Sequence, residues 1–239
     1  MFVPISDDNR LRHLPYQYVT VGLIAVNVLV YVFFTSGIFV DGLEPVAYSF
    51  GVIPAVFNDF RELPSQYAVV PEGMTLVTYQ FVHGGFLHLV SNMLFLWVFG
   101  DNVEDAMGHW RFLAFYLLCG AGAGLAHDLV QPRSVAPLVG ASGAVSGVIA
   151  AYLMLHPKVK VWVLVLWRLP LRLPASWVLG FWVVLQVVMV ASTGSDEEVA
   201  WWAHIGGLVT GAVLVLFMRR RGVPLFDRGL VTATQPNRR

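Results

Sequence analysis

The chain has 239 residues, of which 57% are hydrophobic and only 13% are charged, and its fifteen basic residues balance fifteen acidic ones. Because a typical soluble domain carries about 25% charged residues, these charges are too few to cover a soluble surface, and their balance leaves no net field to attract nucleic acid. The single cysteine, Cys119, excludes a disulfide scaffold within the chain and a cysteine-rich metal site. The composition therefore predicts an integral membrane protein.

Six charge-poor stretches are candidates for helices that cross the bilayer, which takes about 20 apolar residues. In chain order they lie at about residues 18–34, 86–99, 112–126, 139–156, 173–195 and 199–218, and the fourth is ended by His156 and Pro157. The apolar run 161–167 is too short to cross, so we expect it to be an interfacial or half-buried connection. The predicted fold class is an all-α polytopic membrane protein with six transmembrane helices in one bundle.

The basic residues predict how this bundle sits in the membrane. If the N-terminal segment, residues 1–17, is cytoplasmic, thirteen of the fifteen Lys and Arg residues fall on the cytoplasmic side, and only Arg61 and Arg133 fall outside. Cytoplasmic loops are enriched in Lys and Arg. We therefore predict that both termini are cytoplasmic, with a six-helix domain over residues 18–220 and a cytoplasmic tail over residues 221–239.

The connection over residues 41–73 is the one long loop between the predicted spans, and this topology places it outside. Long loops in compact proteins are usually functional or disordered. The Val, Phe, Tyr and Pro residues of this loop predict that it lies against the outer membrane interface. The alternative is a passive connector.

Polar side chains inside the spans are the candidates for chemistry, because they are expensive to place in lipid. The topology, derived without them, brings four to similar depth near the outer ends of the spans. Ser142 lies in the fourth span and His204 in the sixth, whereas His88 and Asn92 are four residues apart on one face of the second. This coincidence indicates a common site.

Each of these residues also has a structural alternative. A serine such as Ser142 commonly bonds to its own helix or to a neighbouring one, and His204 could be a buried, hydrogen-bonded histidine. His88 and Asn92 could form a polar clamp between helices. The convergence of all four, rather than any one of them, favours a site.

Glycines near the serine and the histidine predict how the two helices meet. Two glycine pairs have the small-x-x-x-small spacing that lets membrane helices pack closely, namely Gly143 with Gly147 and Gly207 with Gly211. The second pair shares a helical face with His204, so the helix that packs against these glycines also meets the imidazole. If that helix is the fourth span, His204 comes within hydrogen-bond distance of Ser142.

A serine beside a histidine can be an activated nucleophile, because the imidazole takes the hydroxyl proton during attack and returns it to the leaving group. Acyl transfer also develops an oxyanion, which needs fixed donors, and the Asn92 amide, the His88 ring and the Ser142 backbone N–H could supply them. No carboxylate lies in the outer half of the second, fourth or sixth span. We therefore predict a Ser142–His204 dyad rather than a triad, with no metal and no cofactor.

These motifs resemble those of the rhomboid intramembrane serine proteases, over about residues 76–211. The resemblance rests on three motifs that follow one another along the second, fourth and sixth spans: His83-Gly84-Gly85-Phe86-Leu87-His88-Leu89-Val90-Ser91-Asn92, Gly140-Ala141-Ser142-Gly143 and Ala203-His204-Ile205-Gly206-Gly207.

The resemblance implies a serine endopeptidase with a six-helix core and a water-filled active site that opens outward. It implies that Ser142 is the nucleophile, that His204 is the general base, and that the oxyanion and substrate side is lined by His88, Asn92 and Gly140. Substrates of the family are single-span membrane proteins, cut in or near the transmembrane segment. The expected partners are therefore such proteins and the lipid bilayer, with no nucleic acid, and the expected location is a bacterial plasma membrane.

Two stretches depart from the family pattern. Many members carry Trp-Arg in the first loop, where this chain reads Met74-Thr75-Leu76-Val77, and some place a tyrosine under the histidine at the position of Ser146. The first departure leaves the anchoring of the loop open, and the second leaves open what supports the imidazole ring. Neither changes the dyad.

Three other functions compete with this interpretation. A transporter or channel could place His88, His204 and Asp128 on an ion path, although no acidic residue lies mid-span to relay protons. A metal-dependent membrane protease is disfavoured, because the chain has no His-Glu-x-x-His motif. A catalytically silent rhomboid-like binding protein is the third alternative, but such relatives lack the serine or the histidine, and this chain has both.

The distribution of basic residues generates a topology prediction. A reporter fused after Arg221 is expected to lie in the cytoplasm, and one inserted near Asp59 is expected outside the membrane. Reporter activity from the two fusions in intact cells checks this prediction. A C-terminus that reads as external would require a seventh span, for which the run 161–167 would be the candidate.

Overall fold

The computed structural model describes residues 2–37, 42–165, 168–192 and 200–227. These residues form nine α-helices, and two short 3-10 turns at Ser65–Tyr67 and Tyr79–Phe81. The helices are α1 (Tyr18–Thr35), α2 (Glu44–Phe50), α3 (Pro54–Phe57), α4 (Glu72–Thr78), α5 (Phe86–Met107), α6 (His109–Val130), α7 (Ser142–Leu155), α8 (Ala175–Ser192) and α9 (Trp201–Met218).

The six predicted spans correspond to α1 and to α5 through α9, so the predicted fold class is confirmed. Five of these helices have 18 to 22 residues and are apolar enough to cross a membrane, whereas α7 has only 14 residues. The fourth span begins at Ser142, later than the predicted residue 139, because Gly140 has a φ of +118°, which no helix accepts. The predicted end of the fifth span, residues 193–195, lies outside the described residues.

The short α7 is the centre of the bundle. Every residue from 143 to 152 is buried, because small side chains on α7 let α5, α6 and α9 pack around it. In contrast, α1 and α8 each bury only a few residues and lie at the periphery. Ser142 is the first residue of α7 and therefore lies at one end of the bundle, on its central helix. We call this end the serine end.

The second span continues beyond the predicted residue 99 to Met107, although it then carries acidic residues. Glu104 is fully buried. Its carboxylate accepts hydrogen bonds from the backbone N–H groups of Val19 (3.0 Å) and Thr20 (2.8 Å) and from the Thr20 hydroxyl (2.6 Å). It also lies 2.5 Å from His109 Nδ1. No residue of α1 caps its own N-terminus. Glu104 therefore supplies this cap from α5, which fixes the entry of α1 into the bundle.

A three-stranded antiparallel sheet, which the sequence pattern does not predict, lies opposite the serine end. Its strands, in the order β1-β2-β3, are β1 (Phe2–Asp7), β2 (Lys160–Val165) and β3 (Leu169–Pro174). The register pairs Phe2 with Val165 and Lys160 with Pro174. Strand β2 falls in the apolar run 161–167, which is half buried as expected, and the last two residues of that run lie outside the described residues.

The long connection packs onto the serine end of the bundle instead of looping freely. The backbone of Val52 pairs with that of Leu138 in an isolated bridge, and the Asn58 amide donates to the Asp128 carboxylate at the end of α6 (2.7 Å). The Thr78 hydroxyl donates to the Phe50 carbonyl (2.7 Å). These bonds hold α2, α3 and α4 against the segment that leads into α7, so the connection helps to position Ser142.

Candidate active site

Ser142 and His204 come together at the serine end of the bundle. Ser142 is the first residue of α7, and His204 lies in the first turn of α9. The distance between His204 Nε2 and Ser142 Oγ is 2.9 Å, which is hydrogen-bond distance. The two residues are 62 positions apart in the sequence, so the packing of the two helices alone brings them into contact.

The glycines set the separation of α7 and α9. A Cβ atom built on Gly207 would lie 2.0 Å from the Gly143 carbonyl oxygen, and one on Gly211 would lie 2.4 Å from the Gly147 carbonyl oxygen. Real Cβ atoms do not approach backbone this closely, so both positions of α9 require glycine. In the structure, the glycines of α9 therefore lie directly against the backbone of α7.

A third polar residue contacts the histidine, and sequence reasoning missed it. The Gln186 side-chain oxygen lies 2.7 Å from His204 Nδ1, on the ring edge opposite the serine, and Gln186 is only 2% exposed. A signal was present in the sequence, because Gln186 is a polar residue within the charge-free fifth span. The signal is weak, because Gln186 is neutral and lies in the fifth span, whereas the three motifs lie along the second, fourth and sixth spans.

Two tryptophans, rather than residue 146, flank the imidazole. The ring centroids of Trp182 and Trp201 lie 6.0 Å and 5.8 Å from that of His204. Ser146, which stands where some family members place a tyrosine, donates instead to the Ser142 carbonyl oxygen one turn back (2.7 Å). The absence of a tyrosine is thus compensated by aromatic rings from α8 and α9.

His88 and Gly140 also meet, although they lie on different elements. A Cβ atom on Gly140 would be 2.6 Å from His88 Nε2, so the ring packs directly on the backbone two residues before Ser142. Its φ of +118° gives Gly140 a second reason to be glycine. His88 is therefore placed beside the loop that carries the nucleophile.

His83 supports the same loop from the other side. Its ring centroid lies 5.1 Å from that of His88, and its Nε2 lies 3.5 Å from the Ala141 backbone N–H. Burial lowers the pKa of His83 to about 3, and the neighbouring His88 ring also lowers it by electrostatic repulsion. The ring is therefore neutral at physiological pH, and Nε2 can accept from the backbone.

Asn92 lies one turn after His88 on α5 and is 6% exposed. Its amide nitrogen Nδ2 is buried and has no hydrogen-bond acceptor among the described residues. A buried donor without an acceptor is costly. Asn92 thus has the donor capacity that an oxyanion site needs, and nothing in the described part of the chain uses it.

The N-terminus of α7 adds backbone donors at the nucleophile. The first-turn N–H groups of α7, including that of Ser142, have no intrahelical acceptor, and no side chain of the described residues caps them. Together with the helix dipole, such groups favour negative charge next to the serine oxygen. The arrangement can therefore activate a hydroxyl for attack on a carbonyl group and stabilise the resulting oxyanion.

Comparison with known proteins points to one family. The family model of the rhomboid domain matches residues 71–221. Rhomboid-like protein 11, chloroplastic, of Arabidopsis thaliana is 33% identical over 177 residues, which are 69% of this chain and 60% of that protein. Rhomboid protein 1, mitochondrial, of Saccharomyces cerevisiae is 30% identical over 154 residues, or 60% of this chain and 41% of that protein.

A bacterial relative matches over a shorter stretch. Rhomboid protease GluP of Bacillus subtilis is 39% identical over 82 residues, which are 34% of this chain and 16% of that protein. The chain therefore spans at most 60% of the length of these three curated relatives.

The helix contact at the site generates a prediction about Gly207. Replacing Gly207 by Ala adds a methyl group 2.0 Å from the Gly143 carbonyl oxygen, so α7 and α9 must separate. Because a displacement of about 1 Å can cost ~10²-fold in rate, the reaction of Ser142 with a fluorophosphonate probe should slow by about that factor. Gly22→Ala is the matched control, since a Cβ on Gly22 meets nothing within 4 Å. Equal labelling rates for Gly207→Ala and Gly22→Ala would show that this contact does not set the Ser142–His204 distance.

Proposed function

The chain belongs to the rhomboid family, and from this premise we propose that it is an intramembrane serine endopeptidase that cleaves single-span membrane proteins in or near their transmembrane segments. At the level of the family, the match to a rhomboid domain and to a relative named as a protease supports a membrane protease. The single observation that carries the proposal to this chain is the 2.9 Å distance between Ser142 Oγ and His204 Nε2.

In the proposed reaction, Ser142 Oγ attacks the carbonyl carbon of the scissile peptide bond while His204 Nε2 takes the hydroxyl proton. The tetrahedral intermediate collapses when His204 returns this proton to the leaving nitrogen, which gives an acyl-enzyme and the first product. Water then attacks the ester, with His204 again as base and acid, and Ser142 regains its proton. No metal or cofactor takes part.

The oxyanion of the intermediate needs donors on the side of the carbonyl oxygen. The Ser142 backbone N–H, in the uncapped first turn of α7, is one of them. The unused Asn92 amide is the second, and the His88 ring, packed on Gly140 beside the nucleophile, is the third. We assign these roles because each group lies on an element that faces the start of α7 and has donor capacity.

The position of the site also supports a proposal for the substrate class and the location. His204 lies near the start of α9, a helix long enough to cross a membrane, and Ser142 is within hydrogen-bond distance of it, which supports access of a substrate from within or beside the bilayer. A backbone that is still helical has its N–H and C=O groups satisfied, which favours substrates whose span is broken near its end. The proposed setting is a bacterial plasma membrane, with both termini in the cytoplasm and the serine end outside.

The competing functions find less support. Asp128, the acidic residue of the hypothetical ion path, is bonded to Asn58 and serves to hold the long connection. The described residues contain no group of three or more His, Cys, Asp and Glu side chains that could hold a metal ion. A silent binding protein would not need its serine and histidine at hydrogen-bond distance.

Variants of the four polar residues test the proposal. Ser142→Ala is expected to abolish cleavage, and His204→Ala nearly so, since an unassisted hydroxyl is a poor nucleophile at neutral pH. Asn92→Ala and His88→Ala are each expected to lose about 10²–10³-fold, as for one oxyanion donor. Cleavage of a transmembrane substrate and the melting temperature should be measured for all four variants in one detergent. Residual cleavage by Ser142→Ala, or activity that merely follows melting temperature, would contradict the proposal.

A further inference from the structure

The orientation of the Gln186 carboxamide is fixed by its own helix. Gln186 Nε2 lies 3.1 Å from the Trp182 carbonyl oxygen, and Gln186 Oε1 lies 2.7 Å from His204 Nδ1. A backbone carbonyl can only accept hydrogen bonds, so the NH₂ group must face Trp182 and the oxygen must face His204. The reverse orientation would set an oxygen against an oxygen.

This orientation determines which nitrogen of the imidazole carries the proton. An amide oxygen is only an acceptor, so Nδ1 of His204 must carry its hydrogen toward Gln186. A neutral imidazole has one N–H, which leaves Nε2 with a lone pair directed at the Ser142 hydroxyl, 2.9 Å away. That tautomer is the one in which His204 can remove the serine proton.

We propose that Gln186 is a positioning residue that holds His204 in its reactive tautomer and thereby makes the predicted dyad a three-residue chain. The inference rests on the proposed function of Ser142 and His204. In a Ser-His-Asp triad an aspartate performs this task. Here a neutral amide performs it, which avoids the cost of burying a carboxylate charge in the membrane.

Gln186 also ties the site to the position of α8. The buried residues of α8 are Ala175, Val178 and Leu179 near the sheet, and Gln186 near the serine end. Among the described residues, Gln186 is thus the one buried anchor of the second half of α8. Displacement of that half from α9 removes the acceptor from His204, so the bond makes serine activation depend on the seating of α8.

A pair of substitutions separates positioning from folding. Gln186→Leu removes the acceptor at similar volume. Gln186→Glu, which burial favours in its protonated form, can still donate to the Trp182 carbonyl and offers an oxygen acceptor to His204. Asn27→Leu is the matched control, because Asn27 is also a fully buried amide that donates to a carbonyl four residues back, Leu23 (2.8 Å), but on α1. The readouts are kcat and KM on a transmembrane substrate, the fluorophosphonate labelling rate of Ser142, and the melting temperature.

Gln186→Leu is expected to lower kcat and the labelling rate by about 10²-fold or more, since loss of the orienting group of a triad costs up to ~10⁴-fold. KM should stay within about twofold, and Gln186→Glu should recover most of the loss. Wild-type kcat in Gln186→Leu, or an equal loss in Asn27→Leu, or no recovery with Glu, would overturn the proposal. Ser142→Ala is measured in parallel, because cleavage by that variant would instead refute the proposed function itself.

An independent observation lies at the opposite end of the bundle, where a cleft of about 840 Å³ opens between the start of α6 and the end of α9. Its walls carry four arginines and two exposed aromatic rings: Arg111, Arg219, Arg220, Arg221, Trp110 and Phe217. Trp110 and Phe217 are 82% and 77% exposed. The cleft therefore combines positive charge with apolar surface.

No carboxylate of the described residues neutralises the arginine charges of this cleft. Among the described residues, none of the four lies within ion-pair distance of a carboxylate, whereas Arg172 on β3 pairs with Asp8. The nearby carboxylates of Glu104 and Asp105 are already engaged by histidines and by backbone N–H groups. The preference for Lys and Arg on the cytoplasmic side explains why these residues are positively charged. It does not explain why four of them line one cleft in which the described part of the chain places no carboxylate partner.

Two further features favour an anion. The Nε atoms of Arg219 and Arg220 are buried and have no hydrogen-bond acceptor among the described residues. Helix α6 starts at the cleft with neither a side-chain cap nor an acidic residue in its first turn, so its positive end faces the same space. A phosphate group satisfies these donors, and the aromatic rings beside it suit the acyl chains attached to a lipid phosphate.

We infer that this cleft binds the phosphate of an anionic phospholipid headgroup, with Trp110 and Phe217 against its chains. The test is the melting temperature of the full chain in detergent, titrated with phosphatidylglycerol, with phosphatidylcholine and with inorganic phosphate. A ligand whose free concentration is ~100 times its Kd should raise the melting temperature by about 5–10 °C. This rise is expected with phosphatidylglycerol alone.

The double variant Arg219→Gln/Arg220→Gln should lose most of the rise, whereas Arg172→Gln, which removes an ion-paired arginine elsewhere on the same end, should keep it. An equal rise with phosphatidylcholine would overturn the site. An equal rise with inorganic phosphate would overturn the lipid as its ligand. Retention of the full rise by the double variant would show that the lipid binds elsewhere.

Discussion

The close backbone approach of α7 and α9 is the constraint on which the site depends. Membrane helices gain little from burying apolar surface against each other, because lipid is as apolar as they are. The distance between two such helices is therefore set by the size of the side chains at their contact. Glycine at positions 207 and 211 lets the two backbones touch at the Gly143 and Gly147 carbonyl groups. His204 lies one turn before Gly207, so this contact also brings its ring within hydrogen-bond distance of Ser142. Gln186 contacts the other nitrogen of the same ring.

Satisfaction of buried polar groups by neighbouring helices is the second organising feature. Glu104 of α5 caps α1, and Asn58 of the long connection bonds to Asp128 of α6. Gln186 of α8 bonds to His204 of α9. In lipid, no water is at hand to replace a lost partner, so each of these bonds specifies which helices are neighbours as well as how they are oriented.

The sequence was sufficient to predict the spans and the contact between Ser142 and His204. The length and charge of a segment and the spacing of its glycines are local patterns, and a membrane restricts all three. The sequence was insufficient for the sheet, since Phe2 pairs with Val165, and no local pattern records a partner so distant. The start of α7 was misplaced because Gly140 at +118° interrupts an apolar run without any change in composition. Gln186 was missed for a different reason: it has no charge, and its role depends on which helix faces α8.

The sheet also has a consequence for how the protein is made. Strand β1 is synthesised first, but its partner β2 follows about 160 residues later, after α1, α5, α6 and α7. At ~5–20 residues per second this delay is on the order of 10 to 30 seconds, during which β1 has an open edge. Pairing of β1 with β2 joins the chain on either side of α1, α5, α6 and α7, so the sheet closes only when these helices have brought both segments to the same side of the bundle. Closure of the sheet therefore requires the segments before α1 and after α7 to lie on the same side, a condition that the chain can meet before α8 and α9 have been made.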